Sequence, residues 1–213
     1  MPAIAALAHD LHRWSRERFH DPAHTPAQRA HAQALLQLLI AQDGSATRLC
    51  EVIAGAPLGL QVRQAVTSAV PPIVRAQLPG TAFLERYSTL GAHGRVMMDN
   101  LVYVALEGLG ADLRAGLESG TVPIGHLLQA LWVRRAALPP DTAAPLYERL
   151  WSAAGLPDPD AARAYTIRTP EGPRFLIAET FRRGMCRWPE AAADGAAAPV
   201  APLRARADGR APA

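Results

Sequence analysis

The chain has 213 residues, enough for one medium domain with its own core, and a formal net charge of +3 at pH 7 that forms no basic stripe suited to nucleic acid. All 22 of its basic residues are arginine, which excludes a Schiff-base lysine, a lysine general base and a phosphate-loop lysine. No run approaches the roughly 20 apolar residues of a membrane span.

Residues 3–18 and 26–42 carry helical spacing, broken by "HDPAHTPAQ", with Thr25 as N-cap before Pro26. In the second helix Leu36, Leu38 and Leu39 are expected to share one packing face. "DGSATRLCEVIAGAP" then predicts a turn, Ser45 as a cap, a short helix and a stop at Gly55–Pro57. After it the period changes to two. Residues 58–70, 82–91 and 95–106 read as strands, the last two joined by the hairpin signal "AHG". "EGLGADLRAGLESG", "VPIGHLLQALWVRRA" and "DTAAPLYERLWSAAG" read as three helices bounded by Gly120, Pro139–Pro140 and Gly155. Strands return at 162–169 and 174–181 around the turn "PEG".

Hairpins rather than alternating βαβ units predict an antiparallel sheet covered by helices, an α+β domain. Residues 1–42 are expected to form an N-terminal helical segment, 43–187 the domain, and 188–213 a disordered Ala/Pro/Arg tail with little to bury. The N-terminus lacks a basic start followed by an apolar block. A soluble, cytoplasmic monomer is the expectation. Cys50 and Cys186 belong to no CxxC pair and read as reduced thiols. The histidine pairs His9/His12 and His20/His24 lack a third ligand and read as surface residues, so no metal site follows. Met97, Met98 and Tyr103 read as core. There is no glycine-rich phosphate loop and no GxSxG, so no cofactor is expected.

Two strand residues break the pattern. In "RFLIAETF" the period of two puts Glu179 between Ile177 and Phe181 on one face, and in "FLERYSTLG" it puts Arg86 between Leu84 and Ser88. A buried carboxylate needs donors or a cation, and a buried guanidinium needs an acceptor. The residues allow two readings: one buried Arg86–Glu179 ion pair, or two ends of a closed apolar cavity in which Arg86 holds a ligand carboxylate and Glu179 a polar group. Arg63, in "GLQVRQAVT", is a weaker candidate that also suits a solvated strand position.

The order "SATRLCEVIAG", "LGLQVRQAV", "FLERYSTLGAHG", "VPIGHLL" and "YTIRTPEGPRFLIAETF" resembles the bacterial chorismate pyruvate-lyases, over about residues 43 to 182. The resemblance implies a six-stranded antiparallel sheet with covering helices around a solvent-shielded cavity. It implies that Arg86 binds the ring carboxylate, that Glu179 meets the 4-hydroxyl, and that the backbone of Ile124 in "PIG" lines the pocket. A pocket methionine of that family falls on Ala46, which enlarges one wall. Here the strand reads Leu84-Glu85-Arg86, with the acid before the arginine rather than after it. The implied chemistry is cofactor-independent loss of pyruvate from chorismate to give 4-hydroxybenzoate, a step toward ubiquinone, by positioning and polarisation in a water-excluded site. The competing reading is a non-catalytic sensor domain of the same fold that holds an aromatic acid. Because the N-terminal helices are short for a winged-helix DNA reader, the residues favour the lyase.

Overall fold

The computed structural model describes residues 25–155, 162–182 and 185. The expected first helix, the C-terminal tail, Cys186 and the four paired histidines lie outside the described residues.

Helix α1 (Pro26–Ala41) begins at a capping box: the Thr25 hydroxyl accepts from the Gln28 amide at 3.2 Å while Gln28 accepts from the Thr25 amide at 2.8 Å. Helix α2 (Ala46–Ala54) starts at Ser45, whose hydroxyl accepts from the Arg48 amide, and ends at Gly55 in the left-handed conformation. Strand β1 (Gly59–Thr67) stops three residues short of the expected end at 70, and a short helix α3 (Pro72–Gln77) follows from the Pro71–Pro72 pair. The signal for α3 was proline at the first helical position; six residues are too few to show a helical period.

Strands β2 (Phe83–Ala92) and β3 (Arg95–Ala105) form a hairpin in which Ala92 pairs with Arg95. Both turn residues, His93 and Gly94, take positive φ, the twist-matched geometry of a two-residue hairpin turn. Helix α4 (Ala111–Ser119) follows. The segment expected as one helix over 122–136 is instead one turn of helix, α5 (Ile124–Leu127), an irregular stretch, and an edge strand β4 (Arg134–Ala137). Pairing of Arg134–Ala137 with the next strand captures that stretch and overrides its helical propensity. Helix α6 (Pro140–Ala154), strand β5 (Ala162–Thr169) and strand β6 (Gly172–Phe181) complete the fold.

The protein is an α+β fold: six strands, antiparallel throughout, in the order β1-β2-β3-β6-β5-β4. Two three-stranded meanders therefore meet at β3 and β6, the most buried strands. One face packs Phe83, Leu101, Tyr103 and Leu176 against α3 and α6. The other face carries two apolar clusters. One joins Leu90, Met98 and Phe181 to Leu36 and Leu39 of α1 and Cys50 of α2; the second joins Leu84, Val102, Val104 and Ile177 to Leu117 of α4 and Ile124 of α5. Among the described residues no helix is long and apolar enough to cross a membrane.

Leu38 does not share the packing face of Leu36 and Leu39. It is 67% exposed, while Leu36 is fully buried. Denaturant unfolding should therefore show Leu36→Ala costing about 2–5 kcal/mol, a lost side chain plus a cavity, and Leu38→Ala costing less than about 0.5 kcal/mol. Equal costs would mean that α1 does not dock as described.

Candidate functional site

Directly paired residues in an antiparallel sheet point to the same face. The register aligns Ser88, Asn100, Glu179 and Arg163 in one row across β2, β3, β6 and β5. This polar row separates the two apolar clusters of the face. In the adjoining row stand Arg86, Val102, Ile177 and Tyr165. Arg86 and Glu179 thus share a face, two strands and one row apart, roughly 12 Å between their Cα atoms from standard strand spacing.

They do not pair with each other. The cation opposite Glu179 is Arg163, whose Nε donates to Oε2 at 2.8 Å, and the Tyr165 hydroxyl donates to Oε1 at 2.7 Å. Arg163 also donates to the Gln42 carbonyl ahead of α2 and lies over the rings of Tyr165 and Phe181. The side chains of Arg163 and Glu179 are only 9% and 6% exposed. Burial disfavours the Arg163 charge, but Glu179 and Tyr165 together more than offset this and raise the guanidinium's proton affinity. Burial, reinforced by Glu179, holds Tyr165 well above the usual phenol range, and the same two causes push the Cys50 thiol up to about 12.

Arg86 is in a different state. It is fully buried, and Nη2 donates to the Val122 carbonyl at 2.8 Å. Its Nε and Nη1 are buried with no acceptor among the described residues, and burial pulls its proton affinity below the ordinary arginine value. The acid before it, Glu85, points to the other face and pairs with Arg149 of α6 at 2.9 Å.

A cavity lies on the polar row, with about 20 Å³ open to the centre of a water molecule, space for about one water. Its floor is Asn100, Val102, Ile177, Glu179, Tyr165 and Ile167; its roof is the start of α2 (Ser45–Thr47) and α5 (Ile124, Gly125, with Leu128), and Arg135 of β4 closes one side. The roof is tight at Gly125, where an added Cβ would sit 2.5 Å from the Thr47 hydroxyl and 2.8 Å from that of Ser45. Only glycine lets α5 approach α2 this closely. His126 and Glu51, 3.0 Å apart, join the two helices beside that contact.

The structure therefore brings Ala46, Ile124 and Glu179 to the cavity and leaves Arg86 next to it, beyond Val102. Arg63 is not at the site. It pairs with Tyr87 on the opposite face, with its guanidinium 5.1 Å from that ring's centre. Arg163, Tyr165 and Asn100 are not among the site residues expected from sequence, although the same period-two reading applied to "ARAYTIRT" places Arg163, Tyr165 and Ile167 on one face. Arg135 was hidden inside the segment expected as a helix. Among the described residues no group of three or more His, Cys, Asp or Glu is placed to hold a metal ion.

No protein-family model matches the chain, and no curated protein matches it. Among solved structures, the ligand-binding domain of a candidate GntR-family transcriptional regulator from Bordetella bronchiseptica aligns at TM-score 0.37 and 16% identity, over 60% of this chain and 85% of that one. A gene product of Staphylococcus aureus aligns at 0.38 and 12%, over 66% and 89%. The possible transcriptional regulator YydK of Bacillus subtilis aligns at 0.37 and 11%, over 62% of this chain and 60% of that chain. Likenesses of this size leave the function to the site's own chemistry.

Breaking the Glu179–Arg163 pair leaves one buried charge uncompensated, so Arg163→Met should cost about 3–5 kcal/mol in urea unfolding. Adding Glu179→Leu should restore much of that loss. A double variant no more stable than the single one would contradict the pairing.

Proposed function

We propose that this fold is a binding domain for a small organic acid, with Arg86 as the group that receives the acid. The observation that carries this reading is the buried guanidinium with two nitrogens lacking acceptors and no carboxylate partner among the described residues. An isolated buried charge costs several kcal/mol. A carboxylate on the guanidinium edge that Val122 leaves open would remove that cost through charge-assisted hydrogen bonds. The apolar floor of Val102 and Ile177 suits a flat hydrocarbon or aromatic body, and Asn100 and Glu179 offer polar contact at the far side. Opening of the α2–α5 roof makes room for it, since the closed cavity holds about one water.

Catalysis is the second reading. In its favour stand Ile124 and Glu179, which line one cavity, and Arg86 next to it, all at positions that resemble those of chorismate pyruvate-lyases. Against it, both oxygens of Glu179 already accept hydrogen bonds from Arg163 and Tyr165. A carboxylate so engaged is an anchored acceptor, poorly placed to act as a base or to reorient during elimination. Binding without turnover is thus the better-supported function.

Calorimetry with 4-hydroxybenzoate, together with a pyruvate assay on chorismate, separates the two. The expected result is binding of the acid, weakened by about 3 kcal/mol in Arg86→Met, with no pyruvate released. Pyruvate release would install the lyase reading, and affinity unchanged in Arg86→Met would remove Arg86 from the site.

A further inference from the structure

Arg135 is the one cation that lines the cavity among the described residues. It belongs to β4, the edge strand, and stands opposite Ile167, a floor residue. Its Nη1 donates to the Asp43 carbonyl ahead of α2 at 3.0 Å, while Nε is buried with no acceptor among the described residues. Among the described residues no ion pair joins a carboxylate to it. Of the acids near the cavity, Glu179 is held by Arg163 and Tyr165, and Glu51 by His126. The wall therefore presents an uncompensated positive charge on the β4 side, as Arg86 does on the β2 side.

Between these two arginines the floor is three strands wide. Val102 of β3, Ile177 of β6 and Tyr165 of β5 occupy the row of Arg86, and β4 follows. Ala137, opposite Tyr165, is the β4 residue in that row and Arg135 stands one row further along, so four strand spacings and one row put the Cα atoms of Arg86 and Arg135 about 20 Å apart. The Arg86 guanidinium is fixed at the Val122 carbonyl, two residues before the roof residue Ile124. A charged group thus stands near each end of an apolar strip, and two arginine side chains reaching inward along it would reduce the gap to the scale of one small ring with substituents.

Building on the acid-binding reading, we infer that Arg135 is a second anion-binding residue and that the preferred ligand is a small diacid, one acid group on Arg86 and the other on Arg135. The hydroxyls of Ser45 and Thr47, which line the cavity at the start of α2, supply further polar contacts beside the second acid. A monoacid leaves Arg135 uncompensated and binds more weakly for that reason.

Titration calorimetry with benzoate, isophthalate and terephthalate, on the full chain and on Arg135→Met and Arg135→Lys, tests this. The wild type should bind one of the two diacids at least tenfold more tightly than benzoate. Arg135→Met should erase that preference by weakening the diacids at least tenfold more than benzoate, and Arg135→Lys should retain part of the preference. Equal affinity of the wild type for benzoate and both diacids, or an equal loss for all three acids in Arg135→Met, would overturn the assignment. A wild type that binds none of them removes the acid-binding reading itself.

Discussion

The fold is organised around the cost of placing charge on one apolar face of a sheet. Arg163, Glu179 and Arg86 are buried there beside Val102, Ile177 and Phe181, where an uncompensated charge is worth several kcal/mol against folding. Two of the three compensate each other, and a tyrosine completes the arrangement. The two apolar clusters of that face meet at this polar row, and the cavity lies on it because hydrogen-bonded polar side chains do not interdigitate with the helices above as leucines do.

The third charge gives the site its character. Among the described residues Arg86 reaches only a backbone carbonyl, and Glu85, its neighbour in sequence, is committed to Arg149 on the far side of the sheet. Alternation along a strand thus separates two adjacent residues by the whole thickness of the sheet. The roof repeats the theme of close fit: Gly125 lets α5 touch the hydroxyls at the start of α2, and Glu51 and His126 tie the helices together at the same place. The pocket is small, so the acid-binding reading proposed above requires α2 and α5 to separate for a ligand to enter.

Much of this was legible in sequence because period-two alternation is a strong signal in β2 and β6. The faces of Arg86 and Glu179, the hairpin at His93–Gly94, and the caps at Thr25 and Ser45 follow from local rules that the structure obeys. What failed was non-local. The partner of Glu179 lies 16 residues away on β5, and no local rule chooses between Arg163 and Arg86. Arg63 has the right residue type and the wrong parity. Arg135 sits in a Leu-rich stretch whose strand exists only because β5 is there to pair with it. Leu38 is apolar and exposed, a reminder that apolar residues on a helix need not all face the core.

The central claim is that the Arg86 guanidinium is held unpaired for a ligand's acid group. The most direct measurement is the ¹H–¹⁵N resonance of the Arg86 side-chain Nε, assigned by its loss in Arg86→Met and followed during titration with 4-hydroxybenzoate. The account predicts a saturable downfield shift of that proton as a carboxylate engages the guanidinium, while the Arg163 resonance, already committed to Glu179, moves little. An Arg86 signal that stays fixed while the ligand saturates the protein would contradict it.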